Sequence, residues 1–281
     1  MRGWYLRGGT RTNVVSPFFN LQILGRSMRM KVRYRSEKGV ERVERRHKLA
    51  RGHTNRVPGN SQSLVVRAVN LRSPVAEDRW VAWCSWMMHN HADVWIITEC
   101  KVTSHMFKIF RSIARNWSLW VNWNGTNNGV GIAVPVDSKF CALNEKMVVK
   151  DLFASLIYLP GQLSSGERLD VVAVYGVRDR ETCEEQVRIL QDRLTVKCIV
   201  GGDFNWDATR DGRNSLVSLL INKNFVDVDL NSDHTFERGG RRASLDHFWC
   251  HKEVKSEVQG RVLEWDQDAR LSDHKPIEME Y

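Results

Sequence analysis

The feature that most constrains this chain is a set of apolar runs that stop on polar side chains. Lys197-Cys198-Ile199-Val200 leads into Gly201-Gly202-Asp203-Phe204-Asn205-Trp206. An apolar run bounded by glycines reads as a buried strand. A carboxylate and a carboxamide then follow two residues apart, and in an extended segment they share a face. The pattern recurs. Residues 64–69 read as a strand ending at Asn70, residues 94–98 as one ending at Glu99, and residues 169–175 as one ending at Tyr175. Ser272-Asp273-His274 precedes a last apolar run at 276–281. Asp246 stands inside the apolar run 245–250, where an unpaired charge costs several kcal/mol. Strand ends are where layered α/β proteins place their ligand-binding groups.

Helical patterns fall between these strands. Trp80, Trp83, Cys84, Met87 and Met88 recur at helical spacing and predict a helix with a core-facing aromatic stripe, entered through Ser73-Pro74 and the acids Glu77 and Asp78. Residues 181–194 and 214–222 read as further helices, and 130–136, 147–159 and 258–265 as further strands. Asn124-Gly125 and Asn127-Asn128-Gly129 are turn signals. Strands outnumber helices but alternate with them, which predicts an α/β domain of mixed sheets covered by helices rather than an all-β sandwich. No internal repeat is visible.

Charge divides the chain. Residues 1–60 carry 15 Lys and Arg against 3 Glu, whereas the remainder carries 27 basic and 30 acidic residues. The overall +9 therefore belongs to the N-terminal fifth and says little about a domain starting near Leu64. Residues 1–62 are expected to be a basic, disordered tail ending in a Gly/Asn/Ser/Pro-rich linker, with 63–281 as the domain. The six cysteines show no CxxC spacing, so a disulfide framework or zinc site is not expected. A reducing compartment, nuclear or cytoplasmic, is the expectation, and the basic N-terminus leaves organelle targeting open. No apolar stretch reaches the roughly 18 residues of a membrane span.

Taken in order, Asn70, Glu99, Tyr175, Gly-Asp-Phe-Asn at 202–205, Ser244-Leu245-Asp246 and Ser272-Asp273-His274 resemble the endonuclease/exonuclease/phosphatase superfamily. The likeness is nearest to the apurinic-type endonuclease domains of non-LTR (LINE-type) retrotransposons, and it spans about Leu64 to Tyr281. It implies a DNase I-like, four-layered α/β sandwich, two packed mixed sheets flanked by helices. It also implies metal-assisted phosphoester hydrolysis with Mg2+, for which Mn2+ substitutes. Glu99 matches the metal-ligating glutamate, Asn70 the asparagine beside the metal, and Asp273 a second residue near it. Asp203 matches the aspartate that positions or deprotonates water. Asn205 and Tyr175 match groups that hydrogen-bond phosphate. His274 matches the histidine on the scissile phosphate, and Asp246 the aspartate that accepts its ring N–H. Thr98 and Cys100 flank Glu99 where relatives often carry Gln and Thr, and Val69 stands where many carry Trp.

The resemblance fixes chemistry better than substrate. The segment 234–244 runs straight into Asp246, and its Arg238, Arg241 and Arg242 are expected to meet DNA phosphates. The favoured expectation is a retrotransposon-type DNA endonuclease that leaves a 3′-hydroxyl for a reverse transcriptase encoded elsewhere. The alternatives are an enzyme of the same fold acting on inositol phosphates or phospholipids, and a non-catalytic nucleic-acid-binding relic.

Overall fold

A computed structural model describes residues 63–73, 76–125, 129–212, 214–232, 234–265 and 270–281, and the backbone of three strands nearer the N-terminus. The chain divides into two units, Met1–Arg51 and Gly52–Tyr281. Within the first, β1 (Phe18–Leu24), β2 (Ser27–Ser36) and β3 (Gly39–Val43) form an antiparallel meander. The expected tail at 1–62 otherwise lies outside the described residues.

The second unit begins with β4 (Val65–Asn70), α1 (Glu77–His89), β5 (Val94–Thr98), α2 (Ser104–Ile113), β6 (Trp117–Asn122) and β7 (Val130–Pro135). Then come β8 (Phe140–Ala142), β9 (Val149–Lys150), β10 (Leu156–Leu159), β11 (Gly161–Leu163), β12 (Asp170–Tyr175), α3 (Arg180–Leu190) and β13 (Cys198–Asp203). The chain closes with α4 (Ser215–Asn222), β14 (Phe225–Asp227), β15 (Phe236–Arg238), β16 (Arg241–Ala243), β17 (Asp246–His251), β18 (Gln259–Val262) and β19 (Ile277–Glu280).

Two six-stranded sheets result, ordered β18-β19-β4-β5-β7-β6 and β14-β17-β13-β12-β10-β9. Both mix parallel and antiparallel pairs: β4 runs parallel to β5 and β12 to β13, while β5–β7 and β13–β17 are antiparallel. A dry layer lies between them, with Val66, Ala68, Ile96 and Ile132 of one sheet in a cluster with Ile157, Val171, Ala173 and Phe248 of the other. The outward residues of the same strands supply the next layer. Val172, Val174, Val200 and Trp249 pack with Ile189 and Leu190 of α3 and Leu216, Val217 and Leu220 of α4. On the opposite side α1 buries Trp80, Trp83, Cys84 and Met87, as its helical spacing predicts. Its Trp86 meets Trp95 of β5 edge-on at 5.2 Å, and Trp80 Nε1 donates to Met106 O of α2 at 2.9 Å. The order helix, sheet, sheet, helix is the four-layered α/β sandwich expected.

Three local readings change. α1 starts at Glu77 after Ala76, which makes no side-chain cap; Ser73 lies four residues before the helix with φ 45°, and Pro74 falls outside the described residues. The single strand expected at 147–159 is broken. Buried Asp151 accepts hydrogen bonds from the Phe153, Ser155 and Leu156 N–H groups and from Ser155 Oγ, which closes a turn between β9 and β10. α2 and the edge strand β6 are elements that the sequence reading leaves out.

Candidate active site

The site sits where the two sheets come together at their strand ends. Register builds it. Tyr175, Asp203 and Asp246 stand in one row across β12, β13 and β17, because Tyr175 pairs with Asp203 and Asp203 with Asp246. In the facing sheet Asn70 pairs with Thr98, which places Glu99 one residue beyond the end of β5. Glu99 has φ 48°, a left-handed turn that few side chains adopt without support. Its carbonyl accepts from the Ser73 N–H at 2.9 Å, and the Thr98 carbonyl from the Leu71 N–H at 2.9 Å.

Asn70 joins the two sheets. Fully buried, its Nδ2 donates to Glu99 Oε1 at 3.1 Å and to Asp203 Oδ2 at 2.8 Å, while its Oδ1 accepts from the Arg72 N–H at 2.7 Å. The amide thus spaces two carboxylates that would otherwise repel each other. Tyr175 Oη donates to the same Glu99 oxygen at 3.3 Å and is also hydrogen-bonded to the Asn205 side chain. Burial, and then the Glu99 and Asp203 charges, hold this phenol protonated well above its usual range.

The Asp203–Asn205 step differs in detail from the expectation. Both glycines lie inside β13 rather than beyond it, and the extended segment stops at Asp203. Asn205 has φ 47°, and its N–H donates to Asp203 Oδ1 at 2.8 Å, closing an Asx turn. Its side chain still reaches the cluster, with Nδ2 donating to the Gly176 carbonyl at 2.9 Å. A turn rather than strand alternation brings the two residues together.

On the other side, His274 Nδ1 donates to Asp246 Oδ2 at 2.8 Å, and its Nε2 lies 3.9 Å from Asp203 Oδ2. Thr235, an unassigned residue within the expected substrate segment, completes this arm. Its Oγ1 donates to Asp246 Oδ2 at 2.8 Å and accepts from the Leu245 and Asp246 N–H groups, both at 3.0 Å. Phe236 packs edge-on against the imidazole at 4.9 Å, and Ser272 Oγ accepts from the His274 N–H at 3.1 Å. The sequence signal for Thr235 is its place directly before an aromatic residue in the segment leading to Asp246.

Electrostatics follow from burial. Desolvation, then the Asp246 charge, pushes the Asp203 carboxyl up to about 7, with His274, the Asn205 N–H and Asn70 pulling the other way. Burial opposes a charge on His274, but Asp246, Asp203 and Asp273 outweigh it and push the imidazole up to about 10. His274 is therefore a cation at neutral pH, with Nδ1 committed to Asp246 and Nε2 aimed at Asp203.

The carboxylates differ in how well they suit a cation. Glu99 Oε1 takes two hydrogen bonds, while half-buried Glu99 leaves Oε2 with none among the described residues, a hard oxygen suited to a divalent ion. Ligand atoms of Asp203, Asp246 and His274 lie within 4.8 Å of one another, but the Nδ1–Asp246 bond and the imidazolium charge occupy that trio. The donor set at Glu99 is the better fit. Asn70 stands beside it with its oxygen spent on a backbone N–H. The Asp273 carboxylate faces Arg72 Nε at 3.6 Å and Arg238 Nε at 3.9 Å. Of the hairpin arginines, Arg238 thus reaches the site's margin. Arg242 is held by Glu237 at 3.3 Å, and Arg241 is exposed on β16.

A helix-flanked double sheet that gathers two carboxylates, a bridging amide and an acid-paired histidine at its strand ends is a DNase I-like α/β fold. The chain belongs to the Endonuclease/Exonuclease/phosphatase family, whose model matches residues 69–274. Among solved structures it is similar to the endonuclease domain of TRAS1, a telomere-specific non-LTR retrotransposon (TM-score 0.58, 16% identity, 78% of this chain and 97% of that one). It is also similar to D. rerio TDP2 complexed with a single-strand DNA product (TM-score 0.57, 16% identity, 78% and 99%). A third similar structure is the human Nocturnin catalytic domain with bound sulfate (TM-score 0.55, 15% identity, 78% and 92%). At these identities the likeness shows the fold. No curated protein matches the sequence.

Proposed function

We propose that the protein is a Mg2+-dependent DNA endonuclease of retrotransposon type, which nicks one strand and leaves a 3′-hydroxyl. The observation that carries this reading is the opposed pair of Asp203 and the His274 cation 3.9 Å apart, tied through Asn70 to a glutamate whose second oxygen takes no hydrogen bond among the described residues. A divalent ion at Glu99, Mg2+ or Mn2+, would neutralise phosphate charge and polarise the phosphoryl oxygen. Asp203, raised toward neutrality, takes the proton of the attacking water. His274 Nε2 donates to a phosphate oxygen, with Asp246 and Thr235 fixing its tautomer. Tyr175 and Asn205 supply further donors on the Glu99 side.

A polynucleotide substrate is supported by the site's margin. Arg72, Arg79, Arg238 and Arg270 line a cleft of about 340 Å³ beside Asp273, which offers guanidinium groups to phosphates flanking the one that is cut. On this reading the chain acts in the nucleus or cytoplasm together with a reverse transcriptase. The test is nicking of supercoiled plasmid across a Mg2+ and Mn2+ titration. Wild-type protein is expected to give open circles that a polymerase extends from the nick. Asp203→Ala and His274→Ala are expected to lower the rate by about 10²–10⁴-fold each while far-UV circular dichroism stays unchanged. Intact plasmid with phosphate released from inositol phosphates or phospholipids selects a different substrate. DNA binding without hydrolysis in any metal selects a non-catalytic role.

A further inference from the structure

A groove of about 820 Å³ lies away from this network, between α2 and the edge strand β6. Its geometry is unusual for a surface that faces only water. No residue of β6 is fully buried, although its sequence is Trp-Ser-Leu-Trp-Val-Asn, which leaves a β-prone apolar edge open. Trp117 of β6 and Phe107 of α2 present half-buried rings to the groove, while Trp120 packs against the layer between the sheets. Lys108 and Arg111 stand on the α2 wall, and Lys150 of β9 stands on the opposite wall with Nζ donating to the Val121 carbonyl at 2.6 Å. None of these three cations has an ion-pair partner among the described residues, and Glu145 is the one acid on the lining. The groove begins at Val102 and Thr103, just past Glu99.

We propose that this groove binds single-stranded nucleic acid, with bases stacked on Trp117 and Phe107 and phosphates along Lys108, Arg111 and Lys150. Rings between two cationic walls suit a polyanion whose bases are free to stack, and duplex bases are not. The chain's own N-terminal stretch, with 15 basic residues against 3 acids over residues 1–60, lacks the negative charge these walls match. The proposal does not depend on hydrolysis and is read in EDTA.

The experiment titrates the full chain with fluorescein-labelled oligo-dT and with a hairpin duplex across a salt series, following anisotropy and tryptophan emission. Wild-type protein is expected to bind oligo-dT with quenching of tryptophan, and Trp117→Phe to lose a large part of that quench. Lys108→Glu/Arg111→Glu is expected to weaken oligo-dT binding tenfold or more and to flatten the salt slope by about 1.4, or about 0.7 per lost contact. Arg111→Gln repeats the measurement at half that slope change should the double reversal not fold. The N-terminal stretch is present in every protein compared, so the difference isolates the groove. Unchanged oligo-dT affinity and slope in the variants overturns the proposal. So does equal competition by poly-glutamate, which reports charge alone, or a wild-type dimer that the same substitutions dissociate, which makes the groove a face between copies. Plasmid nicking is measured on the same proteins, so an inactive enzyme with an intact groove, or the reverse, is recognised as such.

Discussion

Asn70 ties the two sheets at the site, because its single amide nitrogen serves Glu99 and Asp203 together, beside the Tyr175–Glu99 bond. Its effect is on spacing: one donor set between two carboxylates fixes their separation and offsets their mutual repulsion. Asp246 plays the matching part for His274. It is buried, accepts from Nδ1 and from Thr235, and contributes the largest of the favourable influences that keep the imidazole charged. The sign of its removal follows. In wild-type protein the required imidazolium persists until pH rises through about 10, so the alkaline side of the nicking profile is expected to lie high. Asp246→Asn removes a negative charge, lowers the His274 pKa and shifts that limb to lower pH, with a loss of about 10²–10⁴-fold in rate at neutral pH. A pH–rate profile whose alkaline limb stays in place in the variant would contradict the assigned pairing.

At the scale of the element, β13 shows how much a strand must give up to carry a site. Gly201 and Gly202 lie inside it, and Gly202 has φ 135°, where a Cβ would meet the Val174 carbonyl oxygen at 2.1 Å. The bare backbone lets β12 and β13 close enough for Tyr175 and Asp203 to stand level. Gly202→Ala is therefore expected to destabilise by about 1–3 kcal/mol in urea unfolding. Gly212→Ala, with open space at its Cβ, is expected to stay within about 0.5 kcal/mol. Equal midpoints for the two would refute the packing argument. The same strand explains what was legible in the sequence. Strands buried on both faces write continuous apolar runs, so β4, β5, β12, β13 and β17 and the polar groups at their ends are readable without coordinates. α2 carries helical spacing at Met106, Ile109 and Phe110, but only over ten residues, and edge strand β6 buries no residue fully, so the first writes a brief signal and the second none. The break at Asp151 and the Asx turn at Asn205 are made by side chain-to-backbone hydrogen bonds, which hydrophobic patterning does not record.

At the scale of the molecule, the sandwich closes on its own ends. Leu64 N–H donates to the Tyr281 carbonyl at 2.7 Å, and Tyr281 N–H returns to the Leu64 carbonyl at 2.9 Å. β4 then lies between β19 and β5, so the first and last strands of this unit are neighbours in one sheet. Both partners of β4 come from within Gly52–Tyr281, and so do all residues of the Glu99–Asn70–Asp203 and His274–Asp246 arms. Neither sheet borrows a strand from β1, β2 or β3. The division of charge points the same way, since the basic excess lies before residue 61 and the remainder is slightly acidic. A chain beginning at Ser63 is accordingly expected to melt cooperatively within about 2 °C of the full chain, less than about 1 kcal/mol for a unit of this size. It is expected to retain its nicking rate at low salt and saturating plasmid. Its affinity for DNA should fall and become less steeply dependent on salt, because counterion release scales with the cations that contact phosphate. Loss of cooperative melting on this truncation would mean that the first unit supplies part of the core. Unchanged salt dependence would mean that its arginines do not meet DNA, leaving affinity to the arginine cleft beside Asp273 and to the groove along β6.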